Sequence, residues 1–118
     1  MVALPEVAQG EVWWAELSAP TGSGPGFTRP VVVVQGDSLN RSRIGTVVCV
    51  PLTSNLTWAE APGNVLVTGR ATGLPKDSVA NASQIGALDR AVLTARVGKL
   101  APKRLAQILN GVDVVLGR

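Results

Sequence analysis

Short apolar runs alternate along the chain with polar breaks marked by glycine or proline, and their spacing predicts a mainly β protein followed by one helix. Residues 10–17, GEVWWAEL, are a bulky run bounded by Gly10 and the polar stretch SAPTGSGPG, which predicts a strand. Residues 30–35, PVVVVQ, are β-branched without interruption and predict a strand buried on both faces. Pro30 suits the start of that strand and not its centre, because it has no N–H to give to a ladder. Residues 46–52, TVVCVPL, and 64–67, NVLV, predict a third and a fourth strand. Between them GDSLNRSRIG reads as a connection with a helical turn, and residues 53–63 as a long polar connection. After a further turn at GRATGLPKD, the segments SVANASQIGAL and VLTARVGKL predict two or three weaker strands.

The C-terminal pattern changes period. In APKRLAQILNGVDVVLG, the apolar residues Leu105, Ile108, Leu109, Val112, Val115 and Leu116 recur at steps of three and four, one face of a helix. Pro102 fits the first helical position and Gly117 the end. Gly111 inside the helix costs about 1 kcal/mol against Ala. The order predicts a small closed or strongly curved antiparallel sheet with a helix after it.

Composition narrows the chemistry. The chain has 118 residues, the size of one domain, and 46% of them are apolar, enough for a core. The net charge of +3 is a mild basic excess, unevenly spread. Residues 1–28 carry three Glu and no basic residue. Arg29, Arg41 and Arg43 follow, and later Arg90, Arg96, Lys99, Lys103 and Arg104. Two basic groups are compatible with a polyanionic partner, although solvated faces are the commoner explanation. One cysteine allows no internal disulfide and, with no histidine, leaves no usual zinc ligand set. The missing histidine also removes the commonest general base. Cys49, inside a valine run, reads as packing. Trp13 and Trp14 point to opposite faces of their strand, with Trp13 expected in the core. No signal peptide or membrane span is visible, so a cytoplasmic protein without cofactor or metal is expected.

Several pieces, taken in order, resemble one family. They are GEVWWAEL, a glycine loop ending in RPVVVV, NRSR, VPLTSN, DSVANASQI, and RVGKL before the C-terminal helix. From Gly10 to Leu116 the chain resembles the MazF/PemK-type toxins, ribosome-independent endoribonucleases of bacterial type II toxin–antitoxin systems. The resemblance implies a single domain over residues 1–118 with an SH3-like small β-barrel and a C-terminal α-helix, working as a homodimer. It implies an RNA substrate (single-stranded mRNA) and a cognate antitoxin protein as partners. Arg29 and Thr53 match the family's two central catalytic positions. Asn40, Ser54 and Gln84 match positions lining the RNA groove. Residues 18–28 match a loop that grips RNA or antitoxin, which adds Ser23, Phe27 and Thr28. Trp58, in the long polar connection, is a candidate for stacking on a base, with equal claim to pinning its own loop.

These residue types suit metal-free RNA cleavage. An arginine fork holds a phosphate by two parallel charge-assisted hydrogen bonds and stays ionised. A threonine hydroxyl can donate to the same oxygens. Arg29 by itself would more often be a structural ion pair, and Thr53 an ordinary strand-end hydroxyl. Two departures from the family pattern, Gly24 and Ser83 where relatives are often acidic, leave the general base without an owner. The alternatives are a catalytically weakened RNA-binding relative, or a toxin that binds gyrase on the same barrel as CcdB does. The chain ends DVVLGR, without the terminal-region Trp of the CcdB toxins.

Overall fold

The computed structural model describes residues 4–17 and 27–118. Strand β1 (Glu11–Glu16) pairs antiparallel with β2 (Thr28–Val33) on one edge and with β7 (Leu93–Lys99) on the other. Strand β3 (Thr46–Thr53) is the longest, and its length decides the topology. One edge pairs with β2. Its other edge is shared: β6 (Gly86–Asp89) takes the first half, and β5 (Ser78–Ala80) takes Leu52 and Thr53. Strand β4 (Val65–Val67) completes the order β4-β5-β3-β2-β1-β7, with β6 beside it on β3.

Among the described residues β4 and β7 do not pair, so the curved sheet stays open there. The one-turn helix α2 (Gly69–Thr72) bridges that margin. It packs so closely on β7 that a Cβ at Gly98 would stand 2.7 Å from the Thr72 carbonyl oxygen. Helix α1 (Asp37–Asn40) is the helical turn expected between the second and third strands. Three-residue to five-residue 3₁₀ turns at Leu56–Glu60, Ala82–Gln84 and Arg90–Val92 fill the remaining connections.

The valine run is buried on both faces, as its composition predicts. Val32 and Val34 enter the inner core with Val12, Val50, Leu52, Val67 and Ile108. Val31 and Val33 join an outer cluster with Val7, Trp13, Ala15, Val47, Cys49 and Leu93. Trp13 is core, as expected, and its indole N–H donates to Glu11 Oε1 at 3.1 Å. Glu11 also accepts the Ala8 N–H and pairs with Arg96 Nε at 2.6 Å, so this buried carboxylate is fully engaged.

Helix α3 (Pro102–Leu116) begins at its proline and ends at Gly117 in the left-handed region. Ile108 and Val112 are buried, and Leu105 and Leu109 half-buried. Val115 and Leu116 depart from the expected face and are exposed. Gly111 proves necessary: a Cβ there would collide with the Gly63 carbonyl oxygen. Gly63, at φ +83, makes the reciprocal approach, its own Cβ position lying 2.6 Å from Gly111 O.

Candidate active site

Strand register assembles the site. Val31 faces Pro51, Val32 faces Val50, and Val33 faces Cys49. The pairing ends at Val31 and Pro51; extended two steps, the same register would set Arg29 opposite Thr53. Alternation puts both on the face that Val31, Val33 and Cys49 share. Two residues far apart in sequence thus stand at the same end of the paired strands β2 and β3. Both are half-buried. Thr53 Oγ1 accepts the Asn55 N–H at 3.2 Å, which leaves its own O–H hydrogen free to donate outward. Gln84 reaches this face from the 3₁₀ turn Ala82–Gln84. It borders a small hollow with Val31, Pro51, Cys49 and Leu88, one step along each strand from Arg29 and Thr53. The turn is anchored there by Asn81 N–H donating to the Pro51 carbonyl at 2.9 Å.

The other face of the same sheet end opens into a pocket of about 450 Å³. Its walls are Trp14, Leu52, Leu74, Pro30 and Pro75, with Thr28, Arg29, Ser54, Lys76 and Ser78 supplying polar groups and Phe27 at the edge. Phe27 is 65% exposed and has φ 59, a conformation uncommon for a side-chain-bearing residue and worth a functional explanation.

The family model for PemK-like, MazF-like toxins of type II toxin–antitoxin systems matches residues 8–116. The chain belongs to this family. It is 40% identical over 110 residues to Endoribonuclease MazF2 of Mycobacterium bovis, covering 93% of this chain and 96% of that one. It is 34% identical over 109 residues to Endoribonuclease MazF of Staphylococcus saprophyticus, covering 92% and 90%. Among solved structures, MazF of Deinococcus radiodurans superposes with a TM-score of 0.77 at 21% identity, covering 99% and 100%. A mycobacterial endoribonuclease in complex with its cognate antitoxin superposes with 0.73 at 25% identity, covering 94% and 95%. The sheet and C-terminal helix are those of the MazF toxins.

Within this MazF-type chain the expected site residues separate into groups. Arg29, Thr53 and Gln84 converge on one face, and Phe27, Thr28 and Ser54 on the adjoining pocket. Ser23 lies outside the described residues. Asn40 is buried, both amide hydrogens are taken by Gln35 O and Asp37 Oδ1, and its oxygen accepts from Gln35 Nε2, so it braces α1. Trp58 is 52% exposed in the turn Leu56–Glu60 and does not line the pocket.

The basic residues divide as well. Lys99, Lys103 and Arg104 are solvated, and Arg96 is held by Glu11. Arg90 departs from expectation: it is 7% exposed, and among the described residues its Nε and Nη2 make no hydrogen bond. Cys49 is packing, its thiol pushed up to about 12 by burial, and so no nucleophile. Trp14, Lys76 and Ser78 were not singled out in sequence. The alternation that buries Trp13 was the available signal for Trp14. Glu16 also emerges, an exposed carboxylate opposite Thr28 at this end of the sheet. Among the described residues no three His, Cys, Asp or Glu side chains gather as a metal site.

Proposed function

We propose that this chain is a toxin endoribonuclease that cuts single-stranded RNA at chosen sequences without a metal ion, using the substrate's own 2′-hydroxyl as nucleophile. The observation that carries the reading is that Arg29 and Thr53 stand at one end of the paired strands β2 and β3, where a pocket lined by Arg29 opens. Arg29 holds the non-bridging oxygens of the scissile phosphate through its fork and neutralises the charge that builds on them. Thr53 donates its hydroxyl to the same oxygens, and Gln84 positions the strand. The 2′-oxygen loses its proton and bonds to phosphorus, the P–O5′ bond breaks, and the departing 5′-oxygen takes up a proton. The products are a 2′,3′-cyclic phosphate and a 5′-hydroxyl. The 2′ proton leaves to solvent.

In this reading the whole of residues 1–118 forms one such domain, acts as a homodimer in the cytoplasm, and is held inactive by a cognate antitoxin. The similarity to a MazF-type structure solved with its antitoxin supports that last partner. Among the described residues no helix is long and apolar enough to cross a membrane.

The test is incubation with a long mixed-sequence RNA in excess EDTA, with the new 5′ ends mapped and their chemistry determined. Discrete cuts bearing 5′-hydroxyls are expected. A 2′-deoxy nucleotide just upstream of the cut should block cleavage while binding persists. Cleavage of that substituted RNA, or 5′-phosphate ends, would show that water is the nucleophile. Absence of any cutting would favour the weakened RNA-binding relative.

A further inference from the structure

Arg29 and Thr53 account for one face of the sheet end, and the pocket on the other face has no part in the chemistry so far. We propose that this pocket takes one unpaired nucleobase beside the scissile phosphate, with Trp14 as its stacking surface and Lys76 and Ser78 as the groups that read its edge. The proposal rests on the endoribonuclease reading and names the part of the site that chooses where to cut.

Position, size and lining support it. Thr28 and Ser54, which border the pocket, are the immediate chain neighbours of Arg29 and Thr53, and Arg29 lines the pocket itself. A base and its phosphate are joined through a single sugar, so a phosphate held at Arg29 delivers a base to this opening. The volume of about 450 Å³ lies within the range of small-molecule sites and exceeds what one base fills. The walls are apolar and partly aromatic: Trp14, Leu52, Leu74 and two prolines. Trp14 is half-buried, its far side packed on the inner core, which fixes the ring in place. Unpaired bases are recognised in such settings by stacking on an aromatic plane and by hydrogen bonds to their edges.

The polar lining sets which edge is read. Among the described residues it consists of three hydroxyls and two cations, Lys76 and Arg29, with no carboxylate on the wall. That set favours a base presenting carbonyl or ring-nitrogen acceptors over one presenting an exocyclic amine. A protein side chain from an antitoxin would fill the apolar part equally well, but it would leave unexplained why the pocket opens beside the phosphate-binding pair.

Lys76 is exposed and outside the core, so Lys76→Met should fold normally. Cut sites of wild type and Lys76→Met are mapped on the same mixed RNA, and both proteins are bound to a set of 2′-deoxy-blocked RNAs differing at one base near the cut. The variant should lose roughly tenfold or more of the discrimination at one position adjacent to the cut, with other positions unchanged. Ser78→Ala should relax the same position. Arg29→Ala, by contrast, should slow cutting at all sites alike. An unchanged preference in both Lys76→Met and Ser78→Ala would overturn the pocket assignment while leaving the ribonuclease reading intact. Weakened antitoxin binding with an unchanged base preference would assign the pocket to the antitoxin instead. Base-selective binding by a wild type that cuts nothing would sustain the pocket and overturn the catalytic reading.

Discussion

Replacing Gly111 with alanine tests whether the backbone contact between α3 and the turn at Gly63 holds the helix in place. On propensity alone the change should stabilise the helix by about 1 kcal/mol. The structure reverses that sign. The new Cβ would collide with the Gly63 carbonyl oxygen and stand 3.0 Å from its carbon, and both are backbone atoms that cannot turn aside. Restoring ordinary carbon–carbon separations of about 3.5–4.0 Å requires the helix and turn to part by about 0.5–1 Å. Overpacking of this kind costs about 1–3 kcal/mol. The movement also loosens Ile108, which is fully buried, and Val112, each worth about 1.5–3 kcal/mol when completely buried. If a third of that burial is lost, another 1–2 kcal/mol goes with it. Set against the propensity gain, the net destabilisation is about 2 kcal/mol. For a chain of this size that lowers Tm by about 8 °C. Thermal and urea unfolding followed by far-UV circular dichroism measure it. Asn110→Ala, one residue away and exposed, serves as the control and should be neutral or slightly stabilising. A Gly111→Ala protein as stable as wild type, or more so, would refute the contact.

Arg29→Ala should fold normally and lose about 10²–10³ in cleavage rate, read from single-turnover cutting of a mapped RNA site. A folded variant with a near-normal rate would remove Arg29 from the site. Cys49 should resist a thiol reagent in the native protein at mildly alkaline pH and react fully once the chain is unfolded, because burial keeps it protonated. Asp37 is held below its ordinary value of 3.8 by the Gln9 backbone N–H and the Asn40 amide. A carboxylate with a lowered folded pKa contributes stability above 3.8 and loses it as pH falls through the folded value. Stability should therefore decline on that acid limb, and Asp37→Ala should decline less steeply there, as measured by urea midpoints across pH.

The strands and the helix were legible because their signals are local. Four valines in a row can hardly lie anywhere but in a strand buried on both faces, and a three-and-four apolar spacing bounded by Pro102 and Gly117 specifies a helix. The same local logic placed Trp13 and Cys49 in the core. Arg29, Thr53, Ser54 and Gln84 stood out only through family resemblance, since an arginine before a proline has no chemical meaning by itself. What sets β2 beside β3 is their register, a non-local pairing that periodicity does not encode. The burial of Asn40 has the same origin. Its surroundings depend on Gln35 folding back over α1, which spends every hydrogen-bonding group the side chain has. Gly111 read as a weakness in the helix and became a requirement only when Gly63 approached it. Arg90 read as solvated and is buried because β6 pairs along β3 and its N–H is tied to Gly45 O. The pocket belongs wholly to the tertiary structure: Trp14, Ser54 and the Lys76–Ser78 stretch come from three separate segments, and only the curvature of the sheet encloses a volume between them. Sequence patterns report which face of an element avoids water, whereas the partner that covers the face is chosen by contacts between residues far apart in the chain.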